Sequence, residues 1–145
     1  MRPDVALAAG TALSPLLAGF RKIGQRPLQT VWQIQDEASL ARIIFDFDQL
    51  SLIVSADAND DSVDLEFGNQ TNADKTGYID ASQLRPWKDF VGLPFGWGWI
   101  TVNQQGYCDG LLLSFGNIVP QVVLNVVASS IKIGKISESS IGSTF

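Results

Sequence analysis

Apolar positions are spaced as in a helix over a short stretch near the start of the chain, and then alternate with polar ones nearly to its end. Leu16, Leu17, Phe20 and Ile23 fall on one face of a predicted helix. Ser14 can cap its free N–H groups, and Pro15 is preorganised for the first turn. Arg21 and Lys22 suit the last turn, and Gly24 can take the left-handed stop. A further turn of helix is expected over Asp4 to Gly10. After Gly24 four alternating runs follow. Leu28, Thr30, Trp32 and Ile34 are read as one face, then Ile43, Phe45 and Phe47, then Leu50, Leu52 and Val54, then Val63, Leu65 and Phe67. Gln33, Gln35, Arg42, Asp46, Asp64 and Glu66 stand at the alternate sites, so the pattern predicts an antiparallel meander with one solvated face.

Residues 68–83 carry no clear period and are read as a connection. A second helix is expected over Leu84–Val91, ending at Gly92, and strands over Trp97–Asn103, Cys108–Phe115, Ile118–Val127 and Ser130–Ile136, with a frayed tail beyond Ser137. The two halves correspond at a spacing of 67 to 68 residues. Ile23-Gly24 matches Val91-Gly92, Pro27-Leu28 matches Pro94-Phe95, Trp32 matches Trp99, and Ile43–Phe47 matches Leu111–Phe115. A lone meander cannot cover its own apolar face, so two units would bury theirs together. The expectation is a single α+β, mostly β domain over residues 1–145. It consists of two helix-plus-four-strand units, about 14–67 and 84–136, packed as a sandwich or open barrel.

Composition narrows the chemistry. With 46% hydrophobic and 17% charged residues the chain has ample core and a lean charged surface. Its formal charge of −5 disfavours nucleic acid and favours a basic protein partner, and Arg21, Lys22 and Arg26 are its best basic cluster. Histidine is absent, which removes Ser-His-Asp and Cys-His catalysis and most zinc and copper sites. The single Cys108 allows no intrachain disulfide and fits a reducing, cytoplasmic setting. Beside Asp109 and without a neighbouring cation, its thiol is expected to be structural. The apolar run Val5–Phe20 is read as retained and not membrane-spanning, because Asp4 stands where a signal peptide wants positive charge and Pro15 interrupts the run.

Three stretches carry candidate chemistry, and none assigns a catalytic residue. The run Asp57-Ala-Asn-Asp60-Asp61-Ser-Val-Asp64 is the densest acidic segment and the first candidate for meeting a basic partner. Paired-carboxylate hydrolysis using Asp57, Asp60 and Asp61 is the enzymatic alternative. Asn72-Ala-Asp74-Lys-Thr76-Gly-Tyr78-Ile-Asp80-Ala-Ser-Gln83 resembles the calcium loop of EF-hand proteins, with Asp74, Thr76, Asp80 and the Tyr78 carbonyl as oxygen ligands. Asn72 and Gln83 replace the aspartate and bidentate glutamate that such a loop needs, so a Ca²⁺ ion would be poorly neutralised, and a glycine-containing turn is the plainer reading. Gly96-Trp97-Gly98-Trp99 offers two tryptophans on one strand face, either core or a platform for a partner side chain or sugar. Trp97 is the partner-binding candidate there, while Trp99, aligned with Trp32, is expected in the core.

The second-half motif Gly92-Leu-Pro-Phe-Gly-Trp-Gly-Trp, with Asn103, Gly106-Tyr107, Asp109 and Leu111-Leu-Leu-Ser-Phe115, resembles bacterial families of small β-rich proteins of unknown function. Some of these are encoded near toxins as immunity proteins. The resemblance implies no catalytic residue and no cofactor. It favours a non-catalytic protein-interaction module, immunity-type in its narrower form, with a homodimer compatible and a calcium- or small-ligand-binding protein as the alternative.

Overall fold

The computed structural model describes residues 13–57, 61–69 and 74–136. The expected helical turn at Asp4–Gly10 and the tail beyond Ser137 lie outside them. Helix α1 spans Leu13–Ile23, and the first meander follows as β1 (Thr30–Asp36), β2 (Ser39–Phe47), β3 (Leu50–Asp57) and β4 (Ser62–Asn69). A two-residue strand β5 (Ile79–Asp80) precedes the second meander, β6 (Phe95–Val102), β7 (Cys108–Phe115), β8 (Val122–Val127) and β9 (Ser130–Lys135). The sheets run β4-β3-β2-β1-β5 and β6-β7-β8-β9, antiparallel throughout.

The inner faces of the sheets meet in one core. Ile43, Phe45, Phe47, Leu52 and Val54 come from the first sheet, and Phe95, Leu111, Leu113, Phe115, Val122 and Leu124 from the second. Phe47 sits edge-on to Phe95 at 5.6 Å between ring centres and stacks over Phe115 at 6.5 Å, so the two sheets touch through aromatic rings. Helix α1 closes one open side, its Phe20 lying edge-on to Phe67 of β4 and stacked on Phe95 of β6. A glycine in α1 and one in β6 make this approach feasible. A Cβ at Gly19 would overlap the Phe67 ring, and one at Gly98 would meet the Phe20 ring. Residues 81–91 close the opposite side, with Trp87 fully buried against Phe45 and Lys135 of β9 bonded to Asp89 at 2.8 Å.

Before β1 and β6 the two halves cross. Pro27 bridges Pro94 antiparallel, flanked by four backbone hydrogen bonds. Gln25 N–H donates to Phe95 O, and Gly92 N–H donates to Leu28 O; Phe95 N–H donates to Arg26 O, and Leu28 N–H donates to Leu93 O. Adding 67 to the donor's residue number and subtracting 67 from the acceptor's turns the first bond into the second in the first pair. The same shift turns the last bond into the third.

Four expectations need correction. The second helix is only a three-residue 3₁₀ turn at Trp87–Asp89, because Pro86 disfavours helical backbone at the preceding Arg85 and so denies the expected helix its first turn. The face assigned to β1 breaks between Leu28 and Thr30. Leu28 belongs to the crossing segment and Val31 to the core, while Thr30, Trp32 and Ile34 share the outer face with Asp46, Arg42 and Ser51. The connection 68–83 is not featureless, since β5 pairs with β1 at Trp32 and Gln33. Trp99, expected inside, is half-buried, as is Trp32, and the tryptophan of the core is Trp87.

Candidate functional site

The largest exposed aromatic lies where α1 approaches β6. A bulge between Phe95 and Gly98 turns Trp97 outward, and its side chain is 55% exposed. Its backbone is held all the same, since Trp97 N–H donates to Ser114 Oγ at 2.8 Å and that hydroxyl donates to Asn117 O at 2.8 Å. A groove of about 310 Å³ runs along one side of Trp97, lined by Leu17, Phe20, Arg21, Gln25 and Gly98. A second, of about 260 Å³, lies on the other side against Pro94, Asn117 and Ile118. Leu17 and Ile118 are themselves 40% and 73% exposed, so the tryptophan stands as a wall in an apolar patch. Arg21 places one cation at its rim.

The acidic candidates separate. Asp57 and Asp64 line a shallow groove on the outer face of the β3–β4 hairpin, together with Glu66, Ser55 and Arg42. Arg42 Nε donates to Ser55 Oγ at 2.9 Å, which fixes the one cation among them. Asp61 instead serves the fold. At φ 53° it sits in the turn, and its carboxylate accepts the Ser129 N–H at 2.8 Å, tying this hairpin tip to the β8–β9 turn. Asp60 lies outside the described residues.

Within the candidate loop 72–83, the described residues 74–83 lie across the first sheet instead of enclosing a cavity. Asp74 Oδ1 accepts both Thr76 N–H at 2.9 Å and Thr76 Oγ1–H at 2.7 Å, so these two candidate ligands are bonded to each other. Asp80 lies in β5 opposite Trp32 and accepts the Ser82 N–H at 2.9 Å. Tyr78 N–H closes a turn onto Lys75 O, Gln83 is exposed, and Asn72 lies outside the described residues. Among the described residues no three acidic, cysteine or histidine side chains cluster as a metal site. Hydrogen bonds from Thr76 and Ser82 hold the Asp74 and Asp80 carboxyls below the ordinary aspartate value, and the Lys135 bond does the same for Asp89. Such carboxyls are weak proton donors near neutrality.

Sequence reading missed what this loop covers. Asp46, placed on the solvated face, is 1% exposed. Its carboxylate accepts Thr30 Oγ1–H and Trp32 Nε1–H at 2.9 Å and Ser51 Oγ–H at 2.7 Å, and Lys75 Nζ lies 3.6 Å away. The same Lys75 ammonium sits 5.4 Å from the centre of the Trp32 ring. A polar residue between Phe45 and Phe47, with hydroxyls opposite, was the available signal. Cys108 is buried. Burial first, and Asp109 and Asp64 second, push its thiol up to about 11, so it is no nucleophile at neutral pH. The grooves thus bring together apolar surface, one tryptophan and scattered fixed charges, an arrangement suited to contact with another macromolecule.

Residues 16–140 match the model of a family of unknown function, DUF6334. No curated protein and no solved structure matches the chain.

Proposed function

Since the chain belongs to the DUF6334 family of unknown function, relatives supply no activity, and we propose from its geometry that it is a non-catalytic protein-interaction module. The observation that carries this reading is Trp97, backbone-anchored by Ser114 yet 55% exposed between two grooves. Rigid exposed aromatics flanked by apolar pockets are the usual anchors of protein interfaces. The acidic groove at Asp57, Asp64 and Glu66 and the net charge of −5 favour a basic partner by steering its approach. In its narrower form the proposal is an immunity-type neutraliser acting in the cytoplasm. A toxin-like partner with a basic face fits the charge, and a buried thiol fits a reducing compartment. Among the described residues no helix is long and apolar enough to cross a membrane.

The two-unit reading belongs to the same proposal. The paired hydrogen bonds about Pro27 and Pro94, and the placing of α1 and residues 81–91 on opposite sides of the core, support two equivalent meanders related by an approximate two-fold axis.

The test is affinity capture from the native cells with the intact chain and with W97A. The expected result is a specific protein retained by the former and lost by the latter, an affinity drop of about tenfold or more for a central anchor. Recovery of the same proteins by both, or of none, contradicts the reading.

A further inference from the structure

Among the described residues, β6 is the one strand at or next to a sheet edge that carries neither a charge nor a covering strand. β9 bears Lys132 and Lys135, β4 bears Asp64 and Glu66, and β1 is covered by β5. Charges and covers of this kind are how sheets avoid unwanted pairing. β6 reads Phe-Gly-Trp-Gly-Trp-Ile-Thr-Val, with β7 on one side; on the other, Gln25 and Arg26 bond Phe95 and the Phe20 ring lies against Gly98, but among the described residues no strand pairs with its second half.

The cover on β1 shows what an occupant of β6 must look like. β5 pairs with β1 at Trp32 and Gln33, Ala81 N–H donates to Val31 O at 2.7 Å, and Ser82 Oγ accepts the Val31 N–H at 3.0 Å. From the same segment, Lys75 reaches over the outer face of the sheet to the Trp32 ring. In the two-unit correspondence Trp32 and Gln33 become Trp99 and Ile100, in the middle of the uncovered stretch. The two cation–ring contacts among the described residues fall on Trp32 and Phe90, and Trp97 and Trp99 have none.

We infer that β6 binds an extended segment of a partner protein as an added strand, the segment carrying a lysine or arginine that stacks on Trp97 or Trp99 as Lys75 does on Trp32. This rests on the interaction reading above and names the partner's chemistry. Main-chain pairing along residues 98–102 supplies the docking, and the tryptophan faces select the cation. The charge of −5 favours such a partner over a second copy of this chain, which is equally acidic.

The probe is a synthetic peptide of residues 74–83 of this chain, added to the isotopically labelled full-length protein and followed by amide and indole shifts. Expected are shifts concentrated at residues 96–102 and at the Trp97 and Trp99 indoles. A peptide with Lys75→Glu should bind about two- to fivefold more weakly, the range of an exposed cation–ring contact. W97A and W99A should weaken binding of the unchanged peptide. Because Trp99 is half-buried, the charge-reversed peptide keeps the test valid if W99A fails to fold. Absence of binding, shifts elsewhere, or indifference to the lysine overturns the inference. So does a dimer of the unliganded chain that uses the same β6 amides. A captured partner that depends on Trp97 but leaves amides 98–102 unprotected from exchange overturns strand addition while the interaction reading stands. Peptide binding at β6 without any captured partner does the reverse.

Discussion

Three side-chain donors and one ammonium converge on the Asp46 carboxylate, which is almost fully enclosed. A buried acceptor that satisfies three donors cannot be removed without stranding them. D46A is therefore expected to cost about 2–4 kcal/mol in urea unfolding. It should also loosen the Lys75 strap over Trp32, visible as a change in indole fluorescence. Cys108 makes a second prediction at this scale. With its thiol pushed up to about 11 by burial, it should resist alkylation in the native protein at pH 8 and react promptly in denaturant. Rapid native labelling would contradict the burial. By contrast W97A, which removes an exposed side chain, should leave stability within about 1 kcal/mol and act on binding.

At the scale of elements, the contact of α1 with the sheets depends on absent side chains. G19A would drive a methyl group into the Phe67 ring, and α1 would have to lift from β4. A loss of about 1–3 kcal/mol in thermal or urea unfolding is expected, with no change in the β-sheet signature. The segments that dress the sheets also titrate together. Asp74, Asp80 and Asp89 have folded values below their unfolded ones, so each contributes stability above about pH 4 that is lost as pH falls through its folded value. The melting temperature should be flat from pH 7 to about 5 and decline below about 4. A rise in melting temperature on acidification would contradict these assignments. Much of this level was legible in the sequence. The helix at Leu13–Ile23 and strand β7 at Cys108–Phe115 follow from periodicity and turn residues. What periodicity could not give was which face is covered by a later segment. Alternation marks Trp32 and Ile34 as sharing a face, and only the strap at residues 74–80 explains why that face is outer yet half-sheltered. Pro86 stands in plain sight in the sequence, and it is what limits the expected second helix to a 3₁₀ turn.

For the whole molecule, the acidic candidates show the limit of sequence reading most plainly. Asp57, Asp61 and Asp64 are neighbours along the chain, yet one turn points Asp61 at the β8–β9 hairpin and leaves the other two in a groove with Arg42. Trp97 and Ile118 are 21 residues apart and become neighbours only because Pro94 and Asn117 line the same groove. Binding surfaces assembled from separate elements carry no signature in any one of them.

Neither sheet is stable without the other, because one core of aromatic and branched side chains belongs to both and the segments around Pro27 and Pro94 cross between them. Native-state hydrogen exchange tests it directly. The most protected amides of β2 and β3 and those of β7 and β8 should share a single opening free energy equal to that of global unfolding, with Leu28 and Phe95 among them. Two separate values, one sheet opening well below the other, would contradict it.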